Sequence, residues 1–164
     1  TLLFKGENME KLSLKQKQYI TEIADIHESE LAKQNEDYSK SRLSVGLREE
    51  MINHGLKYNT DLVWLETQKE ELIGFIWARY LKDYNKVIIE MLYVNEAFRK
   101  QGIATRFKNE VEAWARAVGA FKIESTVDSH NVQMQQLNRN MDYQISKVIM
   151  TKNLRVNNED NREK

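Results

Sequence analysis

Seven consecutive residues, Arg99-Lys100-Gln101-Gly102-Ile103-Ala104-Thr105, have the types and spacing to hold an anion. An apolar run ends before them at Val94, and a helical pattern begins within them. Ile103, Phe107, Val111, Trp114 and Val118 recur at intervals of four, four, three and four residues. A helix start presents backbone N–H groups without partners and a partial positive charge, which together bind phosphate. Gly102 and Ala104 are small enough for a ligand to reach the main chain. Four cations (Arg99, Lys100, Arg106 and Lys108) and no acid lie between Ala97 and Lys108. That excess suits a pyrophosphate better than a single carboxylate. The pattern has neither the Gly-Lys-Ser/Thr of a P-loop nor the three glycines of a dinucleotide fingerprint. Alone, Arg-x-x-Gly-x-Ala also describes a plain strand–helix turn with a solvated basic face, so its surroundings must decide. A second candidate is Glu90, the one charge between Ile88 and Val94. His27, His54 and His130 have no metal-ligand spacing, and no cysteine is present to act as nucleophile or to hold zinc.

These groups need a strand before the turn and a helix after it. Glu71–Leu81 and Lys86–Val94 are dense in β-branched and aromatic residues and are joined by the polar Lys82–Asn85. With Leu62–Glu66 and the polar turn Thr67–Glu70 they read as three consecutive antiparallel strands. The helix from Ile103 stops at Gly119. Phe121–Val127 alternates and reads as a strand parallel to Lys86–Val94 through a right-handed crossover. Ahead of the strands, helical spacing covers Leu14–Lys33, with His27 on its apolar stripe, and Arg42–His54, with Gly55 just past its end. Leu2–Phe4 reads as a short first strand, Asn131–Met141 as a short helix and Tyr143–Leu154 as a final strand. The expected fold is α+β: a mixed, mostly antiparallel central sheet of about six to seven strands with about four helices. Residues 1–154 read as one domain. The tail Arg155–Lys164 has one apolar residue and reads as disordered. Met9 offers an alternative initiator, which would make Thr1–Asn8 a leader.

The chain has 164 residues, 41% hydrophobic and 30% charged, with 25 basic residues against 25 acidic. Such a length supports a core without metals or disulfides. Neutral net charge gives no reason to expect nucleic acid or an anionic membrane as partner. No apolar run approaches the roughly 20 residues of a membrane span, and the lack of cysteine fits a cytoplasmic protein.

In this setting R-K-Q-G-I-A resembles the acetyl-CoA signature of the GNAT superfamily of N-acetyltransferases, Arg/Gln-x-x-Gly-x-Gly/Ala at a strand–helix junction. ELIGFIWARY resembles the family's third strand and VIIEMLYV its fourth. KIESTVDSHN is similar to the fifth strand and the Asn that opens the last helix, and MQQLNRNMDYQ to the segment that follows. The resemblance implies a GNAT-like fold with a βαβ acetyl-CoA unit and no metal. It implies that the amides of Gln101, Gly102, Ile103 and Ala104 hold the CoA pyrophosphate, with charge from Arg99 and Lys100 and a hydroxyl from Thr105. Leu92, Tyr93 and Val94 would pair with the pantetheine arm as a strand would, and Asn131 would contact that arm or shape the gap beside it.

An amine acceptor is mostly protonated at neutral pH and must lose a proton before it attacks the thioester. Some family members carry a general-base glutamate at the position of Glu90, and its apolar neighbours would raise its pKa. The tyrosine that protonates the departing thiolate in many members is replaced here by Asn138, which can donate a hydrogen bond but not a proton. Acids gather in the first helical region (Glu22, Asp25, Glu28, Glu30, Glu36, Asp37), either as a solvated face or as a rim favouring a cationic acceptor. The expected activity is acetyl transfer from acetyl-CoA to a primary amine of a small molecule or peptide, by direct attack in a ternary complex. The alternative is a non-catalytic acyl-CoA-binding sensor or structural module. A homodimer is left open.

Overall fold

A computed structural model describes residues 8–154. They form two compact units, one running to Thr126 and a smaller one beginning at Val127. In the first, β1 (Met9–Lys11), α1 (Lys17–Gln34) and α2 (Arg42–Lys57) precede β2 (Asp61–Gln68), β3 (Glu71–Leu81) and β4 (Lys86–Val94). A 3-10 turn at Glu96–Phe98 then leads to α3 (Ile103–Ala117) and β5 (Lys122–Ser125). The strands lie in sequence order; β1 to β4 are antiparallel, and β5 runs parallel to β4.

β3 is apolar on both faces because both are covered. Leu72, Phe75 and Trp77 meet Ile20, Ile23 and Ala24 of α1 and Ile52 of α2, while Ile73, Ile76 and Ala78 share a cluster with Ile103, Phe107, Val111 and Ala115 of α3. Burying each such side chain stabilises the fold by about 1.5–3 kcal/mol. α2 opens on a reciprocal cap in which Ser41 and Ser44 exchange side-chain and backbone hydrogen bonds. α3 is followed by Gly119, whose φ of 79° ends the helix as its sequence position predicts.

The sheet has five strands, not six to seven, among the described residues. The difference lies in the stretch expected as a final strand, 143–154, which forms none and leaves Ile145, Val148, Ile149 and Met150 exposed. Its β-branched residues give it strand propensity, but a strand also needs a partner edge, and 143–154 has no ladder. The expected strand Leu2–Phe4 and the tail Arg155–Lys164 lie outside the described residues. The second unit contains α4 (Val132–Asn140), capped by the Asn131 side chain, which accepts from the Met134 N–H at 3.1 Å.

Gly55 is inside α2 rather than beyond it, and its role is spatial. A Cβ there would lie 2.1 Å from Cγ of Asp61, a side chain held in place by Trp77 and Arg79. At Gly46, in the same helix, a Cβ would meet nothing within 4 Å. Gly55→Ala is therefore expected to destabilise the protein by about 1–3 kcal/mol in urea unfolding. Gly46→Ala is expected to stabilise it by about 0.5–1 kcal/mol.

Candidate active site

The turn between β4 and α3 is built from its own side chains. Asn95 Oδ1 accepts from the Ala97 N–H at 3.0 Å, the Asn95 N–H donates to the Ile73 carbonyl at 2.8 Å, and Arg99 Nε donates to the Val94 carbonyl at 2.9 Å. Lys100 and Gly102 then take left-handed conformations, φ 62° and 80°. Gly102 occupies the N-cap of α3 without a side chain to cap it, and its carbonyl accepts from Arg106. Among the described residues, the N–H groups of Gln101, Gly102, Ile103, Ala104 and Thr105 have no hydrogen-bond acceptor. These are the orphan donors of a helix start, and they face the demand that every helix N-terminus must meet from outside.

Of the four cations noted in the sequence, two belong elsewhere. Arg106 Nη1 lies 3.5 Å from Glu66, a buried carboxylate whose pKa burial raises and Arg106 opposes. Lys108 is buried on α3, and burial lowers its pKa to about 8. Arg99 and Lys100 remain exposed at the turn.

Immediately upstream, β4 parts from β5. Their ladder joins Lys86–Ile89 to Lys122–Ser125 and ends there, so among the described residues Glu90 to Val94 have no strand on that side. At the same point the β3–β4 register slips: Trp77 pairs with Met91 and Ala78 with Ile89, leaving Glu90 as the extra residue of a bulge. A bulge re-aims side chains. Met91 and Tyr93 join the α1–α2 cluster and Ile89 and Leu92 the α3 cluster, whereas Glu90 meets a cation.

That cation is Arg79 of β3, whose Nη1 lies 3.4 Å from Glu90 Oε1. Arg79 also grips Asp61 through Nε and Nη2, each at 3.0 Å. Asp61 is buried and accepts from Trp77 Nε1 at 2.6 Å and Thr60 Oγ1 at 3.0 Å. The Asp61 hydrogen bonds and charge raise the Arg79 pKa, so the guanidinium is permanently charged. Glu90 thus stands beside a fixed positive charge and not in the purely apolar setting that the strand sequence suggests. Arg79 escapes sequence reading because it belongs to the next strand, and its reach to Glu90 depends on a bulge that no residue pattern marks.

The acids of α1 are largely neutralised. Glu28 is buried and held by Arg48 Nε at 2.9 Å and by the Tyr38 hydroxyl; Asp25 pairs with Lys40 at 2.6 Å and Glu30 with Lys33 at 2.8 Å. Three of the six clustered acids are thus paired within the fold, so the free charge of the cluster is smaller than its sequence count. In the second unit, Asn131 is exposed with its Oδ1 committed to the α4 cap. Asn138 is buried, its backbone carbonyl accepting from Met141 and Tyr143, and its Oδ1 has no hydrogen-bond partner among the described residues.

The sequence profile of the acetyltransferase (GNAT) family matches residues 21–143, a stretch that runs through both units. A crystal structure assigned to that family, from Staphylococcus aureus subsp. aureus, is 38% identical, covering 72% of this chain and 98% of its own with a TM-score of 0.69. The fold is shared with a Clostridium acetobutylicum protein described as an acetyltransferase and solved with acetyl-CoA: 16% identity, 90% and 96% coverage, TM-score 0.71. It is shared too with an aminoglycoside N-acetyltransferase solved with CoA: 17% identity, 91% and 100% coverage, TM-score 0.60. Comparison with curated proteins gives no significant match.

His27 lies behind this site, buried edge-on against Trp77 at 5.5 Å between ring centroids, with no hydrogen-bond partner for Nδ1 among the described residues. Burial and the Arg48 charge hold its pKa down to about 4. The folded state resists a proton that the unfolded chain takes up near pH 6.5, so this contribution to stability is full above pH 6.5 and lost as pH falls towards 4. Urea midpoints are expected to drop across that window by the equivalent of about 3 kcal/mol, and His27→Phe to flatten the drop.

Proposed function

The chain belongs to the GNAT acetyltransferase family, and from that premise we propose that it transfers the acetyl group of acetyl-CoA to a primary amine by direct attack in a ternary complex. The observation carrying this reading is two nearby stretches of backbone: the edge of β4 from Glu90 to Val94 that faces no strand among the described residues, and the unbonded amides of Gln101 to Thr105. The second stretch suits a pyrophosphate, with Arg99 and Lys100 adding charge and Thr105 a hydroxyl. The first suits an extended chain carrying amide groups, which pairs with Leu92, Tyr93 and Val94 as a strand would. An N–H of that edge facing the thioester carbonyl would stabilise the oxyanion as the amine attacks.

Glu90, at the head of the edge, takes one proton from the incoming ammonium; the amine nitrogen then bonds to the thioester carbon, the carbon–sulfur bond breaks, and the second proton on nitrogen passes to the released thiolate or to water. Asn138 stands in place of the usual tyrosine and orients the sulfur, which leaves unaided as a thiolate because a thiol titrates near 8.5. Asn131 is assigned to the pantetheine arm on the same resemblance. Aminoglycosides, acetylated by proteins of this fold, join polyamines and lysine peptides as acceptors to be tried. The alternative, a module that holds acyl-CoA without turnover, draws on Asn138.

Release of CoA thiol is to be followed with acetyl-CoA and spermidine, a lysine peptide or sisomicin. Turnover with at least one acceptor is expected; CoA binding with no release across a broad amine panel would favour the module. Glu90→Gln is expected to lower kcat about a hundredfold or more, and undiminished turnover from pH 6 to 9 would remove Glu90 from the mechanism. Gly102→Val forces a branched side chain into a left-handed turn at a strain of about 1–3 kcal/mol. Calorimetry is expected to show CoA binding weakened about tenfold or more.

A further inference from the structure

Asp61, Arg79 and Glu90 form a line of alternating charge across three neighbouring strands, and the bulge brings the last of them into it. We propose that Arg79 is a positioning residue for Glu90: it fixes the direction of the carboxylate, and is itself immobilised by Asp61. This rests on the reading of Glu90 as the base and adds to it the device that holds it in place.

The geometry supports a fixed, not a mobile, arginine. Three guanidinium contacts converge on Asp61, from Nε at 3.0 and 3.3 Å and from Nη2 at 3.0 Å, and the group lies 5.5 Å from the centre of the Trp77 ring. Asp61 has no freedom of its own: Trp77 and Thr60 donate to it, and Gly55 leaves it the only space it can occupy. Only Nη1 is left over, and it points to Glu90. The side chains of the pair are 23% and 19% exposed, enough for an acceptor to reach Glu90 and too little for water to screen the pair fully.

The other charged and titratable groups on the neighbouring elements are themselves paired or neutral. From α1 and α2 come neutral His27 and the closed Glu28–Arg48 pair. From β5 comes Glu124, already bridging Lys86 and Lys122 at 2.8 Å each. β2 contributes Asp61, whose charge Arg79 already answers. The consequence for chemistry is a carboxylate held in one direction beside a guanidinium that Asp61 keeps in place.

The test is a carbon-13 NMR titration of the glutamate side-chain carboxylates in the full chain, with the Glu90 signal identified by its loss in Glu90→Gln. Arg79→Met leaves Asp61 buried without its cation and is at risk of misfolding, so the paired change Asp61→Asn with Arg79→Met is measured as well. In whichever of these folds, the Glu90 signal and the acid limb of kcat/KM are both expected to move from their positions in the unaltered chain. An unmoved signal in a folded variant overturns the positioning role and leaves Glu90 free to be the base. A signal that moves while the acid limb stays overturns the base reading instead. Glu90→Gln carrying Arg79→Met is expected to show no further change in the limb beyond Glu90→Gln alone.

Discussion

The parting of β4 from β5 is the constraint on which the site depends. A strand in a sheet interior satisfies its backbone on both sides, and an unsatisfied buried edge is destabilising. Here the ladder holds for Lys86–Ile89 and then stops, so the β4 residues most exposed to chemistry have one edge to offer. The strand remains straight enough to hand the chain to the α3 turn because its other edge stays paired with β3 as far as Val94. α3 then anchors the turn by burying Ile103, Phe107 and Val111 on the sheet. One wall of the sheet thus supplies acceptors and donors in an extended line, and the helix start supplies donors for negative charge at the line's end.

The bulge at Glu90 ties this open edge to the face packed against α1 and α2. Without the extra residue, the alternation of β4 would send Glu90 and Met91 to opposite faces. With it, Met91 packs beneath α1 and α2 while Glu90 reaches Arg79. Arg79 is tied through Asp61 to Gly55 in α2, so the helix next to the candidate base and the base itself share one packed contact chain. A buried ion pair contributes little net stability, and breaking it from one side is strongly destabilising. This network reads better as a means of fixing geometry than as a source of stability.

The sequence made some of this architecture legible and concealed the rest for physical reasons. β3, β4 and α3 could be read almost to the residue because each is long, strongly periodic and buried where its pattern says. The turn could be read because glycine at a helix start and flanking cations have local meaning. Arg79 could not, since cross-strand partnership is set by register and register was shifted by the bulge. The acids of α1 looked like one face, but Asp25 is answered by Lys40 from the connection after α1 and Glu28 by Arg48 from α2, pairings that helix spacing alone does not encode. The run 143–154 has the composition of a strand without a partner, and propensity does not make a ladder.

The most direct measurement of the CoA site is backbone amide hydrogen exchange with and without saturating acetyl-CoA. Slowed exchange at Gln101–Thr105 together with slowed exchange along Leu92–Val94 is the predicted result. Acetyl-CoA that binds yet leaves both stretches exchanging at their free rates would contradict the placement of the cofactor on the parted strand and the helix start.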